Sequence, residues 1–240
     1  LRTIFAQPLR DPQFLWFAGF VATLVFAISF MGQFVTLYFI DRLQITSVQT
    51  QLILLVAPML AQLAVLPVWG RAADRMGNKP VLAIASLGLV PVGLGWCFMN
   101  GEMLWLGYVL SAAGAALWTG VEVANFNVVL EMAGTGDSDD PERTGGSNYV
   151  AVNSVIINLA GCFGGLASGL LAQSLRTWNW HVGALGLGTI TFYEILFLIS
   201  GVLRLLAAAV FLPHLHEPQA RPTHEALRFM TANIYNNLFN

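Results

Sequence analysis

Glu122 is the acidic residue set deepest in an apolar stretch of this 240-residue chain. It precedes Glu131 by nine positions, about 14 Å along a helix at ~1.5 Å per residue. A carboxyl at that depth must face a cavity, find a cation or keep its proton. In a cavity it could carry a coupling proton or hold a polar or cationic solute. Hydrogen-bonded to a neighbouring helix, it would be structural only. Trp118, Glu122 and Asn125 are spaced i, i+4 and i+7, so one helical face presents all three. Gln33 and Thr36 interrupt another apolar stretch and could face the same cavity. Equally, these two and Asn125 could serve interhelical hydrogen bonding, at ~0.6 kcal/mol per contact. Gln62 and Asn158 read as helix-to-helix contacts of that kind.

A second charged constellation is Gly70–Lys79, GRAADRMGNK, which holds Arg71, Asp74, Arg75 and Lys79. Elsewhere the candidates are thin. His214, His216 and Glu217 form an H-x-H-E cluster, but no further His or Cys is near in sequence. Catalytic zinc needs about three placed protein ligands, so no metal is expected. Cys97 and Cys162 lie inside apolar runs and read as small core hydrophobes. Glu194 and Arg204 are too far apart on one helix to pair, and read as anchors, with Arg204 snorkelling toward the nearer interface. No nucleophile–base cluster and no glycine-rich phosphate loop stands out, so an enzyme is not expected, nor a cofactor.

The elements that must position these residues are apolar. The chain is 56% hydrophobic and 10% charged, with a mean hydropathy of +0.67, whereas about a quarter of a soluble domain is charged. An integral, multi-pass membrane protein follows. The net charge of −2 gives no argument for a nucleic-acid partner. Apolar runs long enough to cross a bilayer core of about 30 Å cover 14–40, 48–69, 80–99, 103–132, 148–175 and 189–212. Residues 1–13 form a polar lead-in, 14–212 a six-helix bundle, and 213–240 a polar tail. In the tail Leu227, Met230, Ile234 and Leu238 recur at helical spacing, which predicts an amphipathic surface helix. Residues 133–147 are glycine-rich and acidic and read as a flexible loop.

On the fifth run Gly161, Gly165 and Gly169 are spaced four apart, as are Ala160, Gly164, Ser168 and Ala172. That spacing invites close approach of another helix. Six crossings put both ends on one side. Arg2, Arg10, Arg71, Arg75, Lys79, Arg143, Arg221 and Arg228 fall there, against Arg42 and Arg176 opposite. The positive-inside rule makes that side, with both termini, cytoplasmic.

Between the second and third runs, Gly70, Asp74, Arg75, Gly77 and Lys79 spell G-x-x-x-D-R-x-G-x-K. This resembles the signature loop of the major facilitator superfamily of secondary transporters. Ala72 and Asn78 depart from the family's usual aliphatic and basic residues. The resemblance implies an all-α membrane fold of six transmembrane helices arranged as two inverted three-helix repeats, one half of a twelve-helix protein. The single charged loop and the tail are similar to the carboxyl-terminal half, with the amino-terminal six-helix half missing from the chain as given.

The resemblance further implies a small-molecule substrate, the lipid bilayer as surroundings, and a conformational latch. In that latch Asp74 would meet a helix N-terminus of the other half, and Arg75 would pair with Glu131. Helices one and four would line the path, with Trp118, Glu122, Asn125, Gln33 and Thr36 as candidates. The expectation is secondary active transport by alternating access in a bacterial inner membrane, with a proton as one coupling ion. The alternative is a membrane scaffold or receptor that keeps the fold without transport.

Overall fold

The computed structural model describes residues 7–134, 145–182, 188–217 and 220–239. Most of the expected acidic loop and half of the lead-in lie outside these residues. Six helices are long and apolar enough to cross a membrane: α1 Pro12–Arg42, α2 Ser47–Met76, α3 Asn78–Phe98, α4 Leu104–Gly134, α5 Ser147–Ser174 and α6 Phe192–His214. A seventh helix, α7, covers Thr223–Phe239.

Local chemistry sets the ends. Asp11 caps α1 by accepting from the amides of Gln13 at 2.9 Å and Phe14 at 3.4 Å, and Pro12 takes the first helical position, where its missing N–H costs nothing. Thr191 and Glu194 form a capping box at the start of α6, with Glu194 Oε2 accepting from the Thr191 amide at 2.7 Å. Glu194 is therefore a cap, not the interfacial anchor expected of it. Asn100 Oδ1 accepts from the Met103 amide at 2.9 Å and closes the short turn between α3 and α4. A two-stranded antiparallel pairing, β1 Trp180–Val182 and β2 Gly188–Ile190, occupies the α5–α6 connection.

The largest departure concerns the charged segment. α2 does not end at Trp69 but runs to Met76. The segment Arg71–Arg75 is the last part of a helix, and Gly77 alone separates α2 from α3. Ala72, Ala73 and Met76 are good helix formers, and all three are buried, so nothing stops the helix before Gly77. Gly77 has φ 94° and ψ 166°, a region that is essentially glycine-only.

The five strongest helix pairings are α1 with α5, α2 with α4, α1 with α6, α3 with α4, and α3 with α6. Exchanging helices one to three with four to six maps this set onto itself. An odd number of crossings per unit reverses the second unit, so the bundle is two inverted three-helix repeats.

Two large apolar clusters fill most of the bundle, and a smaller third one, with Phe30, Ala172 and Leu196, joins α1, α5 and α6. The first large one, toward the Gly77 end, holds Phe14, Phe17, Phe20, Trp69, Val81 and Leu212. The second, toward the β1–β2 end, holds Tyr38, Phe39, Ile53, Trp96, Tyr193 and Phe197. Small residues bring helices together. A Cβ on Gly164 would stand 2.7 Å from the Phe26 carbonyl oxygen of α1, and one on Gly120 would stand 2.7 Å from the Trp69 ring of α2. The small-residue spacing on α5 thus meets α1 at Gly161, Gly164 and Gly165, while Gly169 has open space.

Candidate functional site

Where the two large apolar clusters meet, a cavity of about 420 Å³ opens among α1, α2, α3, α4 and α6. Its polar lining is Thr36 from α1, Gln62 from α2, Ser111 and Trp118 from α4, and Arg204 from α6. Pro58 also lines it, and a π-helical turn, Leu52–Val56, immediately precedes that part of α2. A proline cannot donate to the carbonyl four residues back and crowds it, and widened turns of this kind occur often at functional sites.

The expected path residues separate into three groups. Thr36 and Trp118 reach the cavity. Glu122 is exposed on the bundle surface, one turn further toward the Gly77 end, and its Oε1 accepts from the Trp118 indole at 2.8 Å. Trp118 therefore links the carboxylate to the cavity wall. The remaining two turn away. Asn125 Oδ1 accepts from Asn153 Nδ2 of α5 at 3.2 Å. Gln33 lies against Gly165 of α5, where a Cβ would stand 2.5 Å from its Nε2. Gln62, expected to be a helix-to-helix contact, lines the cavity instead, whereas Asn158 bonds within its own helix to the Ser154 carbonyl at 2.7 Å.

Arg204 departs furthest from expectation. It does not snorkel; it is 3% exposed at mid-length of α6. Its Nη1 donates to the Leu89 carbonyl at 2.9 Å, Nη2 lies 3.9 Å from Met31 Sδ, and Nε is buried without a hydrogen-bond partner among the described residues.

The Gly77 end holds the second constellation. Gly70 and Asp74 are one turn apart on α2. A Cβ on Gly70 would meet nothing within 4 Å, and Asp74 is exposed, so this face is open. Arg75 does not pair with Glu131: among the described residues no ion pair joins them, and the guanidinium lies 5.4 Å from the centre of the Phe229 ring of α7. The tail reaches this end first. Glu131 instead borders a cavity of about 260 Å³ with Asp11, Gln13, Lys79, His216 and Glu217.

Glu217 was missed as a structural residue. Its Oε1 accepts from the Asn78 amide at 2.9 Å and its Oε2 from the Lys79 amide at 2.5 Å. Gly77 provides no side-chain cap for α3, so a carboxylate from the tail takes that place, where the helix dipole favours an anion. Lys79 Nζ donates to the Leu215 carbonyl at 2.6 Å, and the Arg221 amide donates to the Met76 carbonyl at 2.9 Å. Ala226 and Met230 of α7 are buried behind this strap, whereas Leu227, expected on the apolar face, is 51% exposed. The histidines beside Glu217 have other partners. His214 stacks on Trp16 at 4.1 Å, and the His216 amide donates to Gln13 Oε1 at 3.2 Å.

No curated protein and no solved structure matches the chain. Residues 1–214 match the family described as MFS/sugar transport protein, which spans all six apolar helices and stops where α6 does. With its inverted three-helix units, its cavity between them and its charged α2–α3 junction, the chain belongs to this family of solute transporters within the major facilitator superfamily.

Proposed function

We propose that this chain is one six-helix half, the carboxyl-terminal one, of a secondary transporter that moves a small solute by alternating access. The observation that carries this reading is the cavity of about 420 Å³ at mid-depth of the bundle, whose mainly apolar wall carries a few polar groups. Thr36, Gln62, Ser111 and Trp118 place half-buried polar groups within an apolar bundle, and polar groups set in membrane spans face the bundle interior or a water-filled cavity and mark solute pathways. An amino-terminal six-helix half would close the cavity from the other side. The open face of Gly70 and Asp74 supports a latch there: glycine lets a second helix approach, and Asp74 would meet its N-terminus. Lys79 and Gly77 would join that latch through the tail strap, and Glu131 would belong to the strap's surroundings.

Glu122 is the proposed coupling group, with a proton as the coupled ion, since its carboxylate is tied through Trp118 to the cavity. Residues 14–212 form the transporting bundle, and 213–240 a tail at the Gly77 end. The bias of basic residues toward that end supports a cytoplasmic location for both termini in a bacterial inner membrane. The test is uptake by the complete transporter in proteoliposomes, with an imposed proton gradient. Uptake that follows the gradient and that Glu122→Gln uncouples, with the protein still folded and inserted, is the expected result. Solute binding without flux in any gradient would assign the fold to a receptor or scaffold instead.

A further inference from the structure

Arg204 has five N–H donors on a permanent charge, yet among the described residues it makes one good hydrogen bond, to Leu89. The thioether of Met31 is at best a weak acceptor, and Nε has no partner among the described residues. Nor does any described acidic residue pair with it. Taking a guanidinium out of water costs several kcal/mol, and an unpaired one leaves that cost standing.

The surroundings are built around the group. The guanidinium lies along α3, and a Cβ on Gly93 would stand 3.1 Å from Nη1 and 3.2 Å from Cζ. Glycine at position 93 therefore makes the room. The same arginine borders the central cavity with Met31, Leu89 and Val92. An acceptor can thus reach it by way of the cavity, beside the hydroxyls of Thr36 and Ser111 and the amide of Gln62.

We propose that Arg204 is an anion-binding residue and that the cavity takes a solute bearing a carboxylate or a phosphate group. The proposal rests on the transport reading above and deepens it by naming the charge of the solute. A guanidinium offers two parallel donors to either oxyanion, which a neutral hydroxylated solute cannot match. The neutral part of the solute would lie against Trp118, with Thr36, Gln62 and Ser111 supplying hydrogen bonds to it.

The test uses the purified complete transporter and two pairs of probes: lactate against lactamide, and glycerol 3-phosphate against glycerol. Binding is read by quenching of tryptophan fluorescence and by protection of Arg204 from phenylglyoxal, located by mass spectrometry. A charge-assisted bond worth ~1.5–3 kcal/mol predicts about a ten- to hundredfold preference for one or both anions, and the better of the two assigns carboxylate or phosphate. Arg204→Gln should abolish the preference, and Arg204→Lys should keep part of it.

Equal affinity for charged and neutral probes in the parent would overturn the proposal and leave Arg204 as a brace between α6 and α3. So would an unchanged preference in a folded Arg204→Gln. Should Arg204→Gln fail to fold, phenylglyoxal protection in the parent decides, and its absence overturns the site. Anion preference without flux would sustain the site while refuting transport. Flux of a neutral solute without anion preference would do the reverse.

Discussion

Replacing Glu217 by alanine removes the only side-chain cap that α3 receives among the described residues. The parent carboxylate accepts from two successive backbone amides, Asn78 at 2.9 Å and Lys79 at 2.5 Å, and from Asn78 Nδ2 at 3.4 Å. Loss of a helix N-cap costs about 0.5–2 kcal/mol, and loss of a charge at the helix N-terminus ~0.3–1 kcal/mol. Glu217 is half-buried, so solvent screening places the electrostatic part at the low end. The total is about 1.5 kcal/mol, roughly a tenfold shift between docked and undocked tail. The strap keeps its other holds, Lys79 Nζ to Leu215 and the Arg221 amide to Met76, and so stays mostly in place. Hydrogen exchange reads this directly. In Glu217→Ala the amides of Asn78 and Lys79 should exchange about tenfold faster, and peptides from α1 should not change. Glu217→Gln keeps one acceptor without the charge and should fall between. Parent-like protection of Asn78 and Lys79 in a folded Glu217→Ala protein would refute the capping role.

Three further outcomes rest on single contacts. Gly77→Ala forces a Cβ into a backbone at φ 94° and to 3.0 Å from both the Ala220 Cα and Glu217 Oε1, so it should cost ~1–3 kcal/mol, read as a lowered Tm in detergent. Gly164→Ala places a methyl 2.7 Å from the Phe26 carbonyl oxygen. It should destabilise the α1–α5 contact by ~1–3 kcal/mol, whereas Gly169→Ala, which meets nothing within 4 Å, should leave the Tm unchanged. Asp74→Asn keeps its shape and removes a charge from an open face. It should shift the balance of conformations and lower transport, measured by distances between spin labels on the two halves, with no loss of Tm.

Apolar character summed over twenty residues is a strong signal, so all six spans were legible in the sequence. Their ends were less so. The charged residues of 71–75 resembled a loop because charge is rare in this chain, yet helix formers Ala72, Ala73 and Met76 continue α2 to Gly77. Charge density and helix termination are separate properties, and only glycine at φ 94° marks the second. Glu217 had no local signature at all, since its partners lie 138 and 139 positions away. The hint was negative: α3 begins directly after a glycine, which has no side chain to cap it, so a cap from elsewhere was required.

The cavity was legible through faces more than through residue types. Trp118, Glu122 and Asn125 were read as one face of α4, and Ser111, seven residues before Trp118, extends that stripe. At 3.6 residues per turn a step of seven falls about 20° short of two turns, so the stripe winds slowly around the helix. It begins in the cavity at Ser111 and Trp118, reaches the surface at Glu122 and meets Asn153 of α5 at Asn125. The same reasoning applied to α6 would have found Arg204. Tyr193, Phe197, Ser200, Arg204 and Ala208 recur at helical spacing and are buried together with Gly201 and Ala207. An arginine flanked along its own face by serine, glycine and alanine faces a neighbouring backbone, not lipid. Reading it by distance from the helix end placed it at an interface; reading it by face places it inside the bundle, at the wall of the cavity.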